Sequence, residues 1–197
     1  MVLKAQPSEA GFIARVLTAW LDLRASMRSI LASNPSEGRI LSFAMLSGVV
    51  LFAGRALALL SGTERLPQGV PMEAAFASGL LFQVIAWPLV LFGLAALIAS
   101  IARAVGGRGG WREPRAAVAW AAIVQAPADV LLTLPVALGG VPQAVASVLG
   151  ALSAFVFAAV LSFCIAEAHE FSRVRTVFAV LGGVTALLWA GVLFLVS

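Results

Sequence analysis

The sequence has few charged residues and few of the side chains that build catalytic or metal centres. Only 11% of its 197 residues are charged, and it contains one cysteine, one histidine and no tyrosine. Soluble domains carry about 25% charged residues, so this composition argues against a soluble globular fold. A single cysteine excludes an internal disulfide, and one cysteine with one histidine is too few for a typical zinc site. We therefore expect neither a metal nor another cofactor.

Long uncharged segments dominate what remains. Apolar residues make up 61% of the chain, and residues 74–102, 130–166 and 176–197 carry no charge. Each segment is long enough for the roughly 20 residues that a membrane-spanning helix needs. The second segment is too long for one helix, and it contains Pro135 and Pro142 with two glycines between them, so it predicts two spans joined by a short turn.

The pattern predicts an all-α integral membrane fold with five transmembrane helices preceded by an N-terminal amphipathic helix. We assign residues 1–36 to an N-terminal segment, with the amphipathic helix at 11–31, and residues 37–197 to the transmembrane domain. The predicted spans are 40–61, 72–102, 115–138, 142–166 and 176–196.

Proline and capping residues support these boundaries. Asn34, Pro35 and Glu37 form a helix-start pattern before span one, with Asn34 as the expected cap. Prolines inside the spans are expected to kink span two and to interrupt span three: Pro88, Pro127 and Pro135.

Apolar residues in 11–31 recur at helical spacing, which is typical of an amphipathic helix. Two locations of this helix fit the pattern. The helix packs against the bundle, or it lies in the membrane interface with Trp20 as an anchor at headgroup level. Arg24 and Arg28 flank the apolar stripe, and such cations favour an anionic leaflet.

The distribution of basic residues predicts the topology. Residues 1–39 contain five basic residues, the loop at 103–115 contains four and the loop before span five contains two, whereas the loop between spans one and two contains one. Because basic loops stay in the cytoplasm, we expect the N-terminus inside and the C-terminus outside. Residues 1–39 have no uninterrupted apolar core, so we expect no cleaved signal peptide.

Arg55 and Asp129 are the charged residues placed well inside the predicted spans. At 1.5 Å per residue they lie roughly 22 and 21 Å from the basic ends of their helices. A lone charge there costs at least about 2.5–3.5 kcal/mol, which a pair would relieve, and Gln83 and Gln125 can add hydrogen bonds. The alternative is that Arg55 reaches the outer interface and that Asp129 is protonated or hydrated near Pro127.

Small residues recur every four positions along span four and predict a helix-packing face, so we expect this span in the bundle interior. This ridge consists of Ala146, Gly150, Ala154, Ala158, Ser162 and Ala166. A polar cluster of Glu167, His169 and Glu170 follows. It is either a solvated turn or a proton-linked or partner-binding site on the cytoplasmic face.

Taken together, these features resemble the bacterial branch of the Yip-domain family, named for Ypt/Rab-interacting proteins. The resemblance covers about residues 20–196. It rests on the amphipathic segment, on Asn34-Pro35, on the five-span layout and on the basic Gly-Gly-Trp-Arg-Glu-Pro-Arg loop at 109–115. It implies a non-enzymatic membrane protein. Eukaryotic members are linked to Rab GTPases and carry short tyrosine-containing motifs, which have no counterpart in this chain because it lacks tyrosine.

We therefore expect a non-catalytic membrane adaptor or scaffold in the bacterial inner membrane, with its C-terminus in the periplasm. Its partners would be the lipid bilayer and a membrane protein or a second copy of the chain. Nucleic acid is not expected, because the arginines are scattered along the sequence. Two alternatives stay open, namely an accessory subunit of a larger respiratory or photosynthetic complex and a small transporter.

Cysteine labelling tests the topology. The variant Leu66→Cys, in the loop between spans one and two, should react with an impermeant reagent added outside the cell. The variant Arg108→Cys should be protected until the cells are permeabilised, because its basic loop is retained in the cytoplasm. The opposite pattern would show that the orientation is inverted.

Overall fold

A computed structural model describes residues 11–62, 66, 68–139 and 141–183, and the regular elements in these ranges are all helical. In chain order the helices are α1 Phe12–Thr18, α2 Leu23–Ala32, α3 Glu37–Leu60, α4 Met72–Ala104, α5 Arg112–Ala137, α6 Gln143–Ala168 and α7 Val174–Gly183. Four of them, α3 to α6, are long and apolar enough to cross a membrane, and they occupy predicted spans one to four. The predicted fifth span lies partly outside the described residues, and α7 is its described part.

The four long helices alternate in direction. An ion pair of 2.7 Å between Arg115 and Glu37 places the starts of α5 and α3 at the same end. The backbone N–H of Arg108 donates to the carbonyl oxygen of His169 at 3.3 Å, which brings the α4–α5 loop and the end of α6 to that end too. We call it the basic end. At the opposite end, the hydroxyl of Ser61 after α3 donates to a backbone carbonyl in the last turn of α5.

Helix α5 lies at the centre of the bundle. In the most apolar stretch of α5, 56% is buried inside the protein. The corresponding value for the other three long helices is 28% to 33%. Every residue from Ala116 to Ala126 is buried. The expectation that span four lies in the bundle interior stays a prediction, because the predicted span five lies partly outside the described residues. Alanines lie on every face of α5, so neighbouring helices can approach it closely from all directions. The small residues of α6 lie on a single face.

The segment predicted as one amphipathic helix over 11–31 is divided in two. Helix α1 ends in a 3₁₀ turn at Ala19–Leu21, and Asp22 then adopts an extended backbone. The Asp22 carboxylate accepts the backbone N–H of Ala25 at 2.8 Å and so caps α2. Aspartate competes in this way with the helical backbone, which explains why the helix is interrupted here.

Both short helices pack against the bundle, which is the first of the two predicted positions. Their buried residues are Val16, Ala19, Met27 and Ile30. The Trp120 indole N–H, inside α5, donates to the hydroxyl of Ser26 at 3.1 Å. The rings of Phe12 and Phe43 stack at 5.7 Å, and both contact the Trp120 ring. An aromatic cluster of three rings thus joins α1, α3 and α5.

Helix α3 starts two residues later than its proline suggests. Ser36 is the N-cap and accepts the backbone N–H of Arg39 at 3.3 Å. Asn34, the expected cap, instead adopts a left-handed backbone with φ of 45° just after α2. Asparagine is favoured at both kinds of position, since it tolerates the left-handed conformation that ends many helices.

Prolines disturb the long helices less than the sequence suggests. Helix α4 contains a π-helical turn at Phe82–Ala86, directly before Trp87 and Pro88. Helix α5 continues through both Pro127 and Pro135, so the predicted interruption of span three is wrong. Each proline removes one backbone hydrogen bond, but packing of the helix against its neighbours makes this tolerable in a membrane bundle.

The π-helical turn is also a place where α3 and α4 come into close contact. A Cβ atom on Gly48 would stand 2.1 Å from the carbonyl oxygen of Gln83. One residue earlier, the hydroxyl of Ser47 accepts the indole N–H of Trp87 at 3.1 Å. Position 48 therefore requires glycine, because the atom that it approaches belongs to the backbone and cannot rotate away.

Replacing this glycine should destabilise the protein. We expect Gly48→Ala to lower the free energy of unfolding by about 1–3 kcal/mol, since the added methyl group overpacks the contact. Gly93→Ala is the matched control in α4, where nothing lies within 4 Å of the added atom. It should be neutral or stabilising by up to about 1 kcal/mol. Thermal unfolding of the purified variants in detergent measures both, and equal midpoints would contradict the close contact.

Candidate functional site

Polar side chains from separate helices meet at the basic end, and Glu167 is their centre. Its carboxylate receives Arg24 Nε at 3.0 Å and Arg28 Nε at 2.7 Å. The Glu167 side chain is only 13% exposed, against 36% and 65% for the two arginines. Two bonds to one carboxylate form a small network, which holds better than an isolated surface pair. The pairs therefore fasten α2 to the end of α6.

The glycine-rich loop between α4 and α5 lies directly on the end of α6. A Cβ atom at Gly109 would stand 2.5 Å from the Ala168 carbonyl oxygen and 2.7 Å from Nδ1 of His169. Gly106 has φ of +89°, a conformation that side chains rarely adopt. Gly109 is therefore needed because the loop backbone approaches the helix end more closely than a side chain would permit, and Gly106 is needed for its backbone conformation.

His169 is covered by this loop. It is 1% exposed, and neither ring nitrogen has a hydrogen-bond partner in the part of the chain that the structure describes. Burial lowers the pKa of His169, and the positive charge of Arg103 lowers it further, while the negative charge of Glu113 opposes both. Of the two predicted roles for the cluster, a solvated turn is excluded for His169. Glu170, its neighbour, is exposed.

Arginines at the start of α5 connect the loop to α3. Arg112 donates to the side-chain oxygen of Asn34 at 2.8 Å and to the backbone carbonyl of Pro35. The guanidinium of Arg103, at the end of α4, lies 3.7 Å from the centre of the Trp111 ring, a cation–π contact. Together with the Arg115 ion pair, these contacts make the basic end one connected surface.

Asp129 and Arg55, the predicted intramembrane pair, each have a neighbour on another helix in the structure. The Asp129 carboxylate accepts a hydrogen bond from the hydroxyl of Ser153 on α6. Arg55 Nη1 lies 3.7 Å from the position that a Cβ atom on Gly79 of α4 would take. Pairing of Arg55 with Asp129 therefore stays a prediction.

The two predicted glutamines are polar groups inside the bundle. Gln125 is 4% exposed, and neither of its amide atoms has a hydrogen-bond partner among the described residues. The side-chain oxygen of Gln83, in the π-helical turn, likewise has none within those residues. Their role in supporting the Arg55–Asp129 pair stays a prediction.

The small-residue ridge of α6 is buried at one end only. Ser162 and Ala166, near the basic end, are buried, and Ala146 and Ala158 are partly buried. Gly150 and Ala154 are exposed, so a continuous packing face stays a prediction. Trp20, the predicted interface anchor, is 39% exposed.

Sequence reasoning missed the Glu167 network and the hydrogen bond between Trp120 and Ser26. One signal for the network was present. Arg24 and Arg28 are four residues apart on one helix, so both guanidiniums lie on the same face and can share an acidic partner. Which carboxylate takes that role depends on the fold, because Glu167 is far away in the sequence.

Comparison with known families agrees with the helical layout. The Yip1 domain model matches residues 15–196, which include the basic end with both its arginine pair and its glycine-rich loop. The chain belongs to the Yip1-domain family. It is thus a multi-pass membrane protein of this family, and its domain includes all the long helices described above. No curated protein and no solved structure is a significant match.

The buried histidine of this Yip1 domain should make stability depend on pH. Because the pKa of His169 is lower in the folded protein, the unfolded chain takes up a proton first as the pH falls below about 6.5. Stability should therefore be full above this value. It should fall as the pH decreases towards the folded-state pKa, by at most about 1.4 kcal/mol per pH unit.

Thermal midpoints at pH 7.5 and pH 5.5 measure this effect. His169 is the chain's one histidine, so no other histidine titrates in this range. The variant His169→Gln should lose most of the difference between the two midpoints. An unchanged difference would show that the loss of stability has another source.

Proposed function

We propose that this Yip1-domain protein is a non-catalytic adaptor of the bacterial inner membrane that presents its basic end to a protein partner. It crosses the membrane five times, with its N-terminus and basic end in the cytoplasm and its C-terminus in the periplasm. The placement of arginines at one end of the bundle supports this orientation, because basic segments stay on the cytoplasmic side.

The observation that carries the proposal is the fixed surface at the basic end. Ion pairs and hydrogen bonds hold α2 and the glycine-rich loop to the end of α6, and the start of α5 to the start of α3. Arg108 and Arg175 are exposed and make no ion pair within the described residues. A surface that is already ordered loses little conformational freedom on binding, and outward arginines suit an acidic partner.

A small transporter is the second candidate, favoured by one observation. Gln125 is buried inside α5 without a hydrogen-bond partner in the described part of the chain, and such a group inside a membrane bundle often marks a pathway for a polar solute. Thermal stabilisation by a small polar solute, lost in Gln125→Leu, would favour this candidate over the adaptor.

Site-specific photo-crosslinking in cells tests the adaptor. A photoreactive amino acid placed at Arg108 or Arg175 should give adducts with another protein, because both positions are exposed at the basic end. Leu138, 62% exposed beyond the end of α5 at the opposite end, is the matched control and should give none. Adducts at Leu138 alone, or equally at all three positions, would overturn the proposal.

Stoichiometry separates the adaptor from an accessory subunit. After extraction in a mild detergent, an adaptor should be purified with a smaller molar amount of the crosslinked partner than of the chain itself. A partner complex recovered in equal amount would identify the chain as a subunit of that complex.

A further inference from the structure

A cavity of about 320 Å³ lies between the last turns of α4 and the first turns of α7. Its walls are apolar, including Leu97 and Ile101 on α4 and Val180 on α7. Leu97 and Val105 are 46% and 60% exposed, so the cavity opens to the outer surface of the bundle. We call it the α4–α7 groove. Its volume lies at the lower end of the range for small-molecule sites.

The groove has its polar groups at one end. Among its lining residues, Arg173 carries the charge, and Ser172 and Thr176 supply hydroxyl groups. All three lie where α7 begins, at the basic end. Arg173 also lines a second cavity on the other side of α7, next to Arg175.

The arginines at the basic end fall into two groups, those in ion pairs and those, such as Arg108, Arg173 and Arg175, that have none in the described part of the chain. Arg24 and Arg28 bind Glu167, and Arg115 binds Glu37. Arg173 makes no ion pair within the residues that the structure describes. A cation held at the mouth of an apolar groove is complementary to a molecule with an anionic head and an apolar tail.

The length of the groove fits one leaflet of a bilayer. Its α4 wall runs from Leu94 to Val105, a rise of roughly 16 Å at 1.5 Å per residue. Half of the hydrocarbon core is about 15 Å thick. A wall of this length that begins at headgroup level at the basic end reaches about the middle of the membrane, which is the depth that one acyl chain occupies.

We propose that the α4–α7 groove binds one anionic glycerophospholipid from the leaflet at the basic end. An acyl chain lies along the apolar wall, and the phosphate accepts hydrogen bonds from Arg173 and from the Ser172 and Thr176 hydroxyls. The site is independent of the adaptor role, because it uses neither Arg108 nor the Glu167 network.

Photo-crosslinking in vesicles tests the site. The full chain is reconstituted in phosphatidylcholine vesicles that contain a trace of lipid with a photoreactive acyl chain, either phosphatidylglycerol or phosphatidylcholine. We expect phosphatidylglycerol adducts to concentrate on residues 94–105 and 176–181, about fivefold above those of phosphatidylcholine. Peptide mass spectrometry locates the adducts. Both leaflets have the same composition, so the orientation of the protein does not affect the result.

Two variants and one control distinguish recognition of the lipid headgroup from binding of the acyl chain in the groove. Arg173→Gln should remove the preference for phosphatidylglycerol, whereas Arg108→Gln, exposed at the same end but outside the groove, should keep it. Leu97→Trp, which fills the open side, should reduce adducts of both lipids.

The wild-type pattern alone can overturn the proposal. Adducts at equal density on 148–155, a largely exposed stretch of α6, would show ordinary lipid contact. Equal labelling of the groove by both lipids would exclude an anionic site. Crosslinks between two chains in place of lipid adducts would show that a second copy covers the groove.

Discussion

Short-range contact around α5 is the constraint on which the fold depends. Apolar side chains gain little by leaving lipid for protein, so helices in a bilayer associate through close van der Waals packing. The alanines at 116–126 allow that approach on every side, and α1, α2, α3, α4 and α6 all contact α5. The one aromatic residue in this stretch is Trp120, whose ring is enclosed by α1, α2 and α3 and whose N–H donates to Ser26 on α2.

The basic end follows from this packing. Helices that pack closely along their central turns also have their ends close together. The loop from α4 to α5 therefore crosses the end of α6 with no space for a side chain, and a glycine lies at the contact. Several of the polar groups gathered there bind one another. At Glu167 two guanidiniums share one carboxylate, which leaves an excess of positive charge. A surface of this kind is stable beside anions, whether these belong to a protein or to lipid headgroups.

Hydropathy predicted the helices well because length and absence of charge are local properties of a span. It could not identify the central helix, since a ridge of small residues such as that of α6 shows that close packing is possible without showing which neighbour is present. Local chemistry was also ambiguous at Asn34, which fits the start of one helix and the end of another. The Glu167 network was beyond prediction because its arginines lie 139 and 143 residues away in the sequence.

The docking of the N-terminal helices has a consequence for biosynthesis. Ser26 is made 94 residues before Trp120, and Arg24 is made 143 residues before Glu167. At roughly 5–20 residues per second, translation separates Arg24 from its carboxylate by about 7 to 29 s. Helices α1 and α2 therefore cannot complete these contacts until α6 has been made. An α6 inserted in the wrong direction would carry Glu167 to the far side, so a docked N-terminal segment marks a molecule whose later helices have been correctly inserted.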